Sequence, residues 1–348
     1  MKKQLLLLPV LLMALIFAAC TEPAEPGDTY ETRNATDTTE PTETPTNLVE
    51  GQFTIASLQI VDHIALNAAR NGFVSGLAEE GFVVGHNLTF TYFTSQNDRS
   101  ASELMASRIV ESAPDLILSI STPSSQDLAN ATQTIPIVIT AVTNPLGAGL
   151  IDSFEAPGTN VTGTSDLTPV ENQFRLLRRL LPEAQTVGII FNSGETNAVY
   201  QTDIARATAL ELGFTYELAA VTTTADIDQM AENLARRVDA IYVPTCNTMA
   251  TAYAAVINVA DAAGIPFIPG EEAAIPLGGL ATDGIDYYQL GRQTAVMAAR
   301  ILRGEAVPAE MPIEWQAETS TVINVDAAER LGITIPEDIL ATATLFNE

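Results

Sequence analysis

SISTPSSQDLANATQTIPIVITAVTNP, from Ser119 to Pro145, contains a strand end, a helix start and a second strand in one run of chain. The apolar segment DLILSI leads into it and is typical of a strand buried on both faces of a parallel sheet. The segment stops at the letters STP, where we expect a helix with Thr122 as N-cap and Pro123 at the first helical position. IPIVITAV, from Ile135 to Val142, is the next predicted strand. The stretch therefore predicts an α/β fold.

The start of this predicted helix is also a candidate ligand site. Ser124 and Ser125 follow the proline, so free backbone amides and hydroxyls would face the carboxyl edge of the sheet. A helix N-terminus at that edge attracts an anion, and a small carboxylate would fit there. The alternative is that Thr122 and Pro123 only cap the helix, without binding any ligand.

The remainder of the chain alternates strands and helices in two similar halves. Strands ending in polar turns are predicted at STPSSQ and TAVTNP in one half, and at FNSGETNA and PTCNTMA in the other. Such βαβ alternation predicts parallel sheets with helices on both faces. The predicted fold is therefore two doubly wound parallel-sheet lobes joined by a multi-strand hinge, with a ligand cleft between them. We assign residues 51–164 with 285–311 to the first lobe, and 165–284 with 312–348 to the second.

The composition excludes several classes of partner. The 348 residues include 43 acidic and 16 basic side chains, a formal net charge of −27, and 47% hydrophobic residues. Nucleic acid and anionic membrane surfaces would be repelled by this charge, so neither is a predicted partner. The hydrophobic fraction is large enough for two packed domains.

The N-terminal residues predict the cellular location of the protein. Lys2 and Lys3 precede an apolar run too short to span a bilayer comfortably, which is typical of a signal peptide over residues 1–20. The run ends in FAAC, which resembles a bacterial lipobox with Cys20 as the lipidated residue. Ordinary cleavage beside a chance cysteine is the alternative. Residues 21–50 are rich in Thr, Pro and Glu and are predicted to form a disordered linker, so we expect an extracytoplasmic, lipid-anchored protein.

Motifs for catalysis or metal binding are absent from the sequence. GxSxG, P-loop and GxGxxG patterns do not occur, and Cys246 is the only cysteine after Cys20. His63 and His86 lie in different predicted turns, and we interpret each as a surface or capping residue. The sequence therefore predicts no metal site, no cofactor and no enzymatic activity.

The polar turns resemble a known family. The segments QIVDHIALNAARNGFVSGLAEEGFVVGHNL, STPSSQ, TAVTNPLGAGL, NVTGTSDLTPV, FNSGETNA, PTCNTMA and IDYYQLGRQTA resemble substrate-binding lipoproteins of bacterial ABC importers, tryptophan/tyrosine-binding type. The resemblance runs from Gln52 to about Val325. It implies the periplasmic-binding-protein type I fold and a monomer. It also implies that a free amino acid, often aromatic, is captured and passed to an ABC permease with a cytoplasmic ATPase, without any reaction.

The resemblance also implies a set of ligand-binding residues, most of them in the polar turns. Helix N-termini and hydroxyls are expected to hold the carboxylate of the ligand, and acids its ammonium group. The implied residues are Gln59, Ser121, Thr122, Thr140, Ala141, Asp166, Asn192, Ser193, Glu195, Asn197, Thr245, Cys246, Asn247, Thr248, Glu271 and Asp286.

Cys246 departs from the family pattern, in which many relatives have Asp. A buried ammonium group needs an anion close by. With no carboxylate at this position, Glu271 is the leading candidate for that anion, with Asp166 and Glu195 as alternatives. The alternative for Cys246 itself is a small buried apolar residue.

Three further interpretations compete with amino-acid capture. The ligand could be a nucleoside or another heterocycle without an ammonium group, because this fold hosts many ligands. The chain could also be a lipoprotein that senses a ligand for a membrane receptor. An enzyme is the last of the three, since no catalytic constellation accompanies the carboxylates at the strand ends.

Overall fold

The computed structural model describes residues 33–34 and 48–347. The predicted signal peptide, Cys20 and nearly all of the predicted linker lie outside these residues. Within the described residues, no helix combines the length and apolar character needed to cross a bilayer.

Strands and helices alternate along the described chain, as the sequence predicts. The strands are β1 (Arg33–Asn34), β2 (Phe53–Gln59), β3 (Leu88–Thr94), β4 (Leu116–Ile120), β5 (Ile137–Thr140), β6 (Val161–Ser165), β7 (Thr186–Asn192), β8 (Thr215–Val221), β9 (Ala240–Val243), β10 (Phe267–Pro269), β11 (Ala281–Gly284), β12 (Glu314–Trp315), β13 (Ser320–Asn324) and β14 (Thr344–Phe346). The helices are α1 (Ile64–Glu79), α2 (Arg99–Glu111), α3 (Thr122–Ala131), α4 (Val170–Leu180), α5 (Thr196–Glu211), α6 (Ile227–Ala235), α7 (Asn247–Ala250), α8 (Tyr253–Ala263), α9 (Tyr287–Leu302), α10 (Val325–Leu331) and α11 (Glu337–Leu340), with 3-10 turns at Thr224–Asp226, Glu272–Leu277 and Pro308–Glu310.

The first lobe is built on a sheet with strand order β1-β3-β2-β4-β5-β6-β12. Its strands β2 to β6 are parallel, and β1 adds an antiparallel edge. Every residue of β4 and β5 is buried, which agrees with their reading as continuous apolar strands. The apolar core of this lobe includes Phe73, Phe82 and Phe90.

The second lobe has a parallel sheet in the order β10-β9-β7-β8. Phe174 of α4 and Tyr242 of β9 pack with ring centroids 4.8 Å apart in its core. A small third sheet joins β11, β13 and β14. The predicted α/β fold with two parallel-sheet lobes is confirmed.

The chain passes between the two lobes after β6, after β11 and after β12. The predicted lobe boundary between residues 311 and 312 falls just before β12, which pairs with β6 in the first sheet. Helix α9 returns to the first lobe and packs closely on α1, where the backbones approach at Gly72 and Gly291. Several crossings of this kind make a hinge that permits the lobes to close.

The start of α3 differs by one residue from the sequence prediction. Helix α3 begins at Thr122, so Ser121 is the N-cap, and Pro123 occupies the second helical position rather than the first. Ser121 makes no side-chain cap and has a φ of 92°, a left-handed conformation that is costly for a residue with a side chain. The predicted N-cap role of Thr122 is therefore wrong. Proline is tolerated throughout the first helical turn, so its position alone could not fix the boundary.

Candidate functional site

A small cavity lies between the lobes, at the carboxyl ends of the parallel strands. This is where open α/β sheets bind ligands. Its volume is about 10 Å³, room for a single water. The lining residues come from the first lobe, the second lobe and the segment that joins them, and they are His63, Leu66, Ala141, Thr143, Asp166, Asn197, Thr245, Cys246, Asn247, Glu271 and Tyr287.

Two carboxylates face this cavity, Asp166 and Glu271. The oxygens of Asp166 accept hydrogen bonds from the Thr143 hydroxyl at 2.9 Å and the Tyr287 hydroxyl at 2.9 Å. Glu271 accepts one, from the Tyr253 hydroxyl at 2.8 Å. Burial raises the pKa of both carboxyl groups, that of Glu271 to about 7, although the hydroxyl donors oppose the shift. Neither carboxylate forms an ion pair with an arginine or histidine of the described chain.

Glu195 forms hydrogen bonds within the second lobe. Its carboxylate accepts hydrogen bonds from the backbone amides of Asn247 and Thr248, both at 2.8 Å, and from the Asn247 side-chain amide at 2.7 Å. The Cys246 thiol donates a further bond to it at 3.4 Å. Glu195 thus satisfies the free amides at the start of α7, and its oxygens are already occupied.

His63 belongs to the cavity, which corrects its interpretation as a surface or capping residue. It occupies the N-cap position of α1 but makes no side-chain cap there. Burial lowers the pKa of its imidazole to about 4, although a hydrogen bond with Asn247 opposes the shift. The ring is therefore neutral near pH 7. His63 follows a buried strand, and that position was the sequence signal for a site residue.

Thr143 and Tyr287 are two more cavity residues that sequence reasoning missed. Thr143 stands in the TAVTNP turn, next but one to Ala141, which was predicted. Tyr287 directly follows the predicted Asp286. Asp286 itself is exposed and caps α9, accepting from the backbone amides of Tyr288 and Gln289 at 2.9 and 3.1 Å.

The structure brings seven of the predicted site residues to the cavity wall. They are Ala141, Asp166, Asn197, Thr245, Cys246, Asn247 and Glu271. Among them, the side-chain oxygen of Asn197 is buried and has no hydrogen-bond partner. An unpaired buried acceptor is costly and is available to a ligand donor.

Other predicted residues lie behind the cavity or away from it. Gln59 is buried within the first lobe, where its side chain bonds Val61 and Asn67. Thr140 is buried in the sheet and accepts from Thr164 at 3.3 Å, and Ser193 is exposed.

Ser121 and Thr122 lie at the start of α3, beside Ala141 at the end of β5. The Ser121 hydroxyl bonds Ser124, whereas the Thr122 hydroxyl is buried without a partner.

A larger cleft of about 600 Å³ opens between the lobes beyond this cavity. Asn192, Glu195 and Thr248, three of the predicted residues, line it with Asn97. Thr248 accepts from the side-chain amide of Asn97 in the first lobe at 2.9 Å and from that of Asn192 at 2.7 Å. Thr248 therefore connects the two lobes at the wall of this cleft.

Two α/β lobes joined by several chain crossings, around a cleft with polar, charged walls, are the architecture of a solute-binding protein. The chain belongs to the ABC transporter substrate binding protein family, whose model matches residues 54–346. A similar relative is the tyrosine-binding protein of Clostridioides difficile strain R20291, which is 36% identical over 280 residues, covering 80% of this chain and 81% of that protein.

Two solved structures are also similar. The ABC domain in complex with L-Trp from Streptococcus pneumonia has a TM-score of 0.83 at 35% identity, covering 85% of this chain and 100% of that one. A ligand-free, open substrate-binding protein with adhesive properties from Clostridium difficile has a TM-score of 0.66 at 37% identity, covering 85% and 99%. The predicted family, fold and non-enzymatic class are confirmed, and so is the extracytoplasmic location.

The two TM-scores differ although the sequence identities are nearly equal. This chain as a whole is more similar in structure to the L-Trp complex than to the ligand-free, open structure. Together with the volume of about 10 Å³, this indicates that the cavity is in a closed conformation.

Proposed function

We propose that this protein captures a free amino acid with an aromatic side chain between its lobes and delivers it to an ABC permease. The two carboxylates at the cavity, Asp166 and Glu271, carry the proposal. Both are buried, and neither has a cationic partner in the described chain. A buried carboxylate without such a partner requires a proton or a cation, and the ammonium group of an amino acid supplies that cation.

The other end of an amino acid has candidate partners at the start of α3. The hydroxyl of Thr122 is buried and unpartnered, and α3 directs its N-terminal amides toward the same edge of the sheet. A ligand carboxylate placed there would receive hydrogen bonds from the hydroxyl and would be favoured by the helix dipole.

An aromatic side chain is supported by the relatives, since one is described as binding tyrosine and another contains L-Trp. Leu66 and the ring of Tyr287 supply apolar surface at the cavity wall for such a side chain. A nucleoside or another heterocycle without an ammonium group would leave Asp166 and Glu271 unpaired. The carboxylate pair therefore favours the amino acid.

The ligand class is tested by a thermal-shift screen of the domain from Gly51 onward. L-Tyrosine and L-tryptophan at about a hundred times their dissociation constant should raise the free energy of unfolding by about 2.7 kcal/mol. The matching acids without the amino group, 3-(4-hydroxyphenyl)propionate and 3-indolepropionate, serve as controls and should give a much smaller shift. Equal shifts from amine and control would contradict ammonium recognition by the carboxylates.

We also propose that the thiol of Cys20 is lipidated and anchors the domain through the Thr, Pro and Glu-rich linker. A net charge of −27 disfavours attachment to an anionic membrane surface without such an anchor. In cell fractionation, Cys20→Ser should release a folded, ligand-binding domain from the membrane. Continued membrane retention of the variant would contradict lipidation.

A further inference from the structure

Gln201 is a buried amide that joins the two lobes next to the cavity. It lies on α5 of the second lobe and is 0% exposed. Its side-chain oxygen accepts from the Thr168 hydroxyl at 3.1 Å. Its side-chain nitrogen donates to the Thr143 hydroxyl of the first lobe at 3.4 Å and to the Thr245 hydroxyl of the second. Thr143 and Thr245 both line the cavity, whereas Gln201 stands behind them.

The direction of the hydrogen bonds follows from Asp166, because an ionised carboxylate only accepts and Thr143 has a single hydrogen to give it. An amide nitrogen only donates, so the Thr143 oxygen must accept from Gln201. The single hydroxyl hydrogen of Thr143 is then free for the Asp166 carboxylate, which it reaches at 2.9 Å. Donation therefore runs in one direction, from Gln201 to Thr143 to Asp166. Hydrogen bonds connected in this way polarise and strengthen one another in a buried site.

We propose that Gln201 is a positioning residue that prepares Asp166 for the ligand ammonium when the lobes close. Closure brings the Gln201 nitrogen of the second lobe to Thr143 of the first, and this contact commits the Thr143 hydrogen to Asp166. The proposal rests on the proposed function, because it assumes an ammonium group at Asp166. It adds a residue that does not touch the ligand but controls a group that does.

Burial of Asp166 is the reason why such a donor matters. Burial raises the pKa of Asp166, and the hydroxyls of Tyr287 and Thr143 oppose that shift by donating to the ionised form. An ionised Asp166 attracts an ammonium group, and a protonated one does not. Tyr287 lies on α9 and packs in the first-lobe core, so of the two hydroxyl donors only Thr143 is hydrogen-bonded in turn to a residue of α5 in the second lobe.

The test is a double-mutant cycle on the dissociation constant of L-tyrosine, measured by calorimetry. Gln201→Met keeps the length of the side chain and removes the amide, and Thr143→Val removes the hydroxyl at similar volume. Thr143→Val should weaken binding by about tenfold, since it removes a hydrogen bond to a charged group, and Gln201→Met by up to about tenfold, since it removes the neutral bond that orients this hydroxyl. The double variant should bind no more weakly than the weaker single variant, because both changes break the same connection.

Asn87→Leu is the matched control. Asn87 is also a buried amide, bonded to the backbone of Val49, Gly81 and Val83, none of which lines the cavity. This variant should lower the melting temperature and leave the dissociation constant within about twofold of wild type, since it loses hydrogen bonds of the same kind away from the site. If the affinity losses of the two single variants multiply in the double variant, the two residues act independently and the inference is overturned. An unchanged affinity in Gln201→Met would overturn it as well.

Gln201→Glu keeps the inference testable if Gln201→Met does not fold. The new carboxyl group has the same shape and donates to Thr143 only while it is protonated. Its affinity for L-tyrosine relative to wild type should therefore fall as the pH rises. A carboxylate acting through charge alone would strengthen ammonium binding instead, and that result would overturn the role of Gln201. Failure of the wild-type protein itself to bind any amino acid would instead contradict the proposed function.

Discussion

Glu271 is the residue whose charge should respond most to the ligand. Burial raises its pKa from 4.5 to about 7, and Asp166 adds like-charge repulsion from the same cavity. Tyr253 donates to it and Tyr287 faces it, both as neutral hydroxyls. In the closed conformation without a ligand, Glu271 therefore keeps a proton that the unfolded chain releases. This contribution to stability is complete below pH 4.5 and is lost as the pH rises through about 7.

An ammonium group at Glu271 reverses this preference, so binding should release a proton below pH 7. We expect affinity for L-tyrosine to increase with pH, by up to about tenfold per unit for one linked proton, and to level off above about pH 7. Calorimetry in buffers of different ionisation enthalpy measures the proton release directly. Glu271→Gln should bind more weakly and lose the dependence. A wild-type affinity that is constant from pH 5 to 8 would contradict the assignment.

Thr122 offers a second test at the scale of a single side chain. Its hydroxyl is buried without a hydrogen-bond partner in the closed protein, so Thr122→Val should leave the ligand-free melting temperature unchanged or slightly raised. If the hydroxyl holds the ligand carboxylate, the same variant should weaken binding by about 1–3 kcal/mol. Ser193→Ala, at an exposed position, is the control. Equal affinities for the two variants would remove Thr122 from the site.

Sequence position identified the site residues that follow strands and missed those that act across elements. Asp166 and Glu271 were candidates as carboxylates at strand ends, which meet at one edge of a parallel sheet, and the family resemblance implied them together with Cys246. Gln201 lies in the middle of a helix, and its contact with Thr143 depends on how the two lobes meet. The commitment of Glu195 to the start of α7 likewise depends on the packing of one turn against another. The spacing of residues along the sequence does not contain that information.

At the scale of elements, the contact between α1 and α9 determines where Tyr287 enters the cavity. The two helices approach so closely at Gly291 that an added Cβ would overlap the Ala69 carbonyl oxygen and lie 2.8 Å from the Phe73 nitrogen. An added Cβ at Gly72 would overlap the Tyr288 carbonyl oxygen. Backbone atoms of neighbouring helices cannot move aside as a flexible side chain does, so only glycine fits.

Gly291→Ala should therefore lower the free energy of unfolding by about 1–3 kcal/mol, although alanine normally favours a helix over glycine. The displacement of α9 should also weaken ligand binding, because Tyr287 lies one turn away on the same helix. Val296→Ala is the control, because this side chain lies on the same helix and is 46% exposed. Denaturant unfolding and calorimetry measure both effects. A variant as stable as wild type would contradict the close approach.

Element prediction was most successful where burial is continuous and least successful where an element is short. The segments that form β4 and β5 are apolar throughout, since both faces of a parallel sheet are covered. Strand β12 has two residues, Glu314 and Trp315, too few for any hydrophobic period. Its place beside β6 comes from the return of the chain through the hinge.

At the scale of the whole molecule, the lobes must move for a ligand to reach Asp166 and Glu271. A cavity of about 10 Å³ does not admit an amino acid, so the lobes have to separate before binding and close afterwards. Hydrogen bonds from Asn97 to Thr248 and from Gln201 to Thr143 connect the lobes in the closed form. A ligand that shifts the population from about 99% open to 99% closed must bind the closed form about 10⁴-fold more tightly.

Trp315 provides a measurement of this motion. It is the only tryptophan in the sequence, it lies in β12 beside the hinge, and it packs on Phe154 with ring centroids 5.3 Å apart while remaining 43% exposed. Closure bends the chain next to this ring, so its fluorescence emission should change when L-tyrosine binds. Small-angle X-ray scattering should show a smaller radius of gyration at the same ligand concentration, because the lobes come together. The variant Gln201→Met should need more ligand for both changes, in proportion to its weaker binding. A radius of gyration that is identical with and without ligand would contradict closure of the lobes on binding.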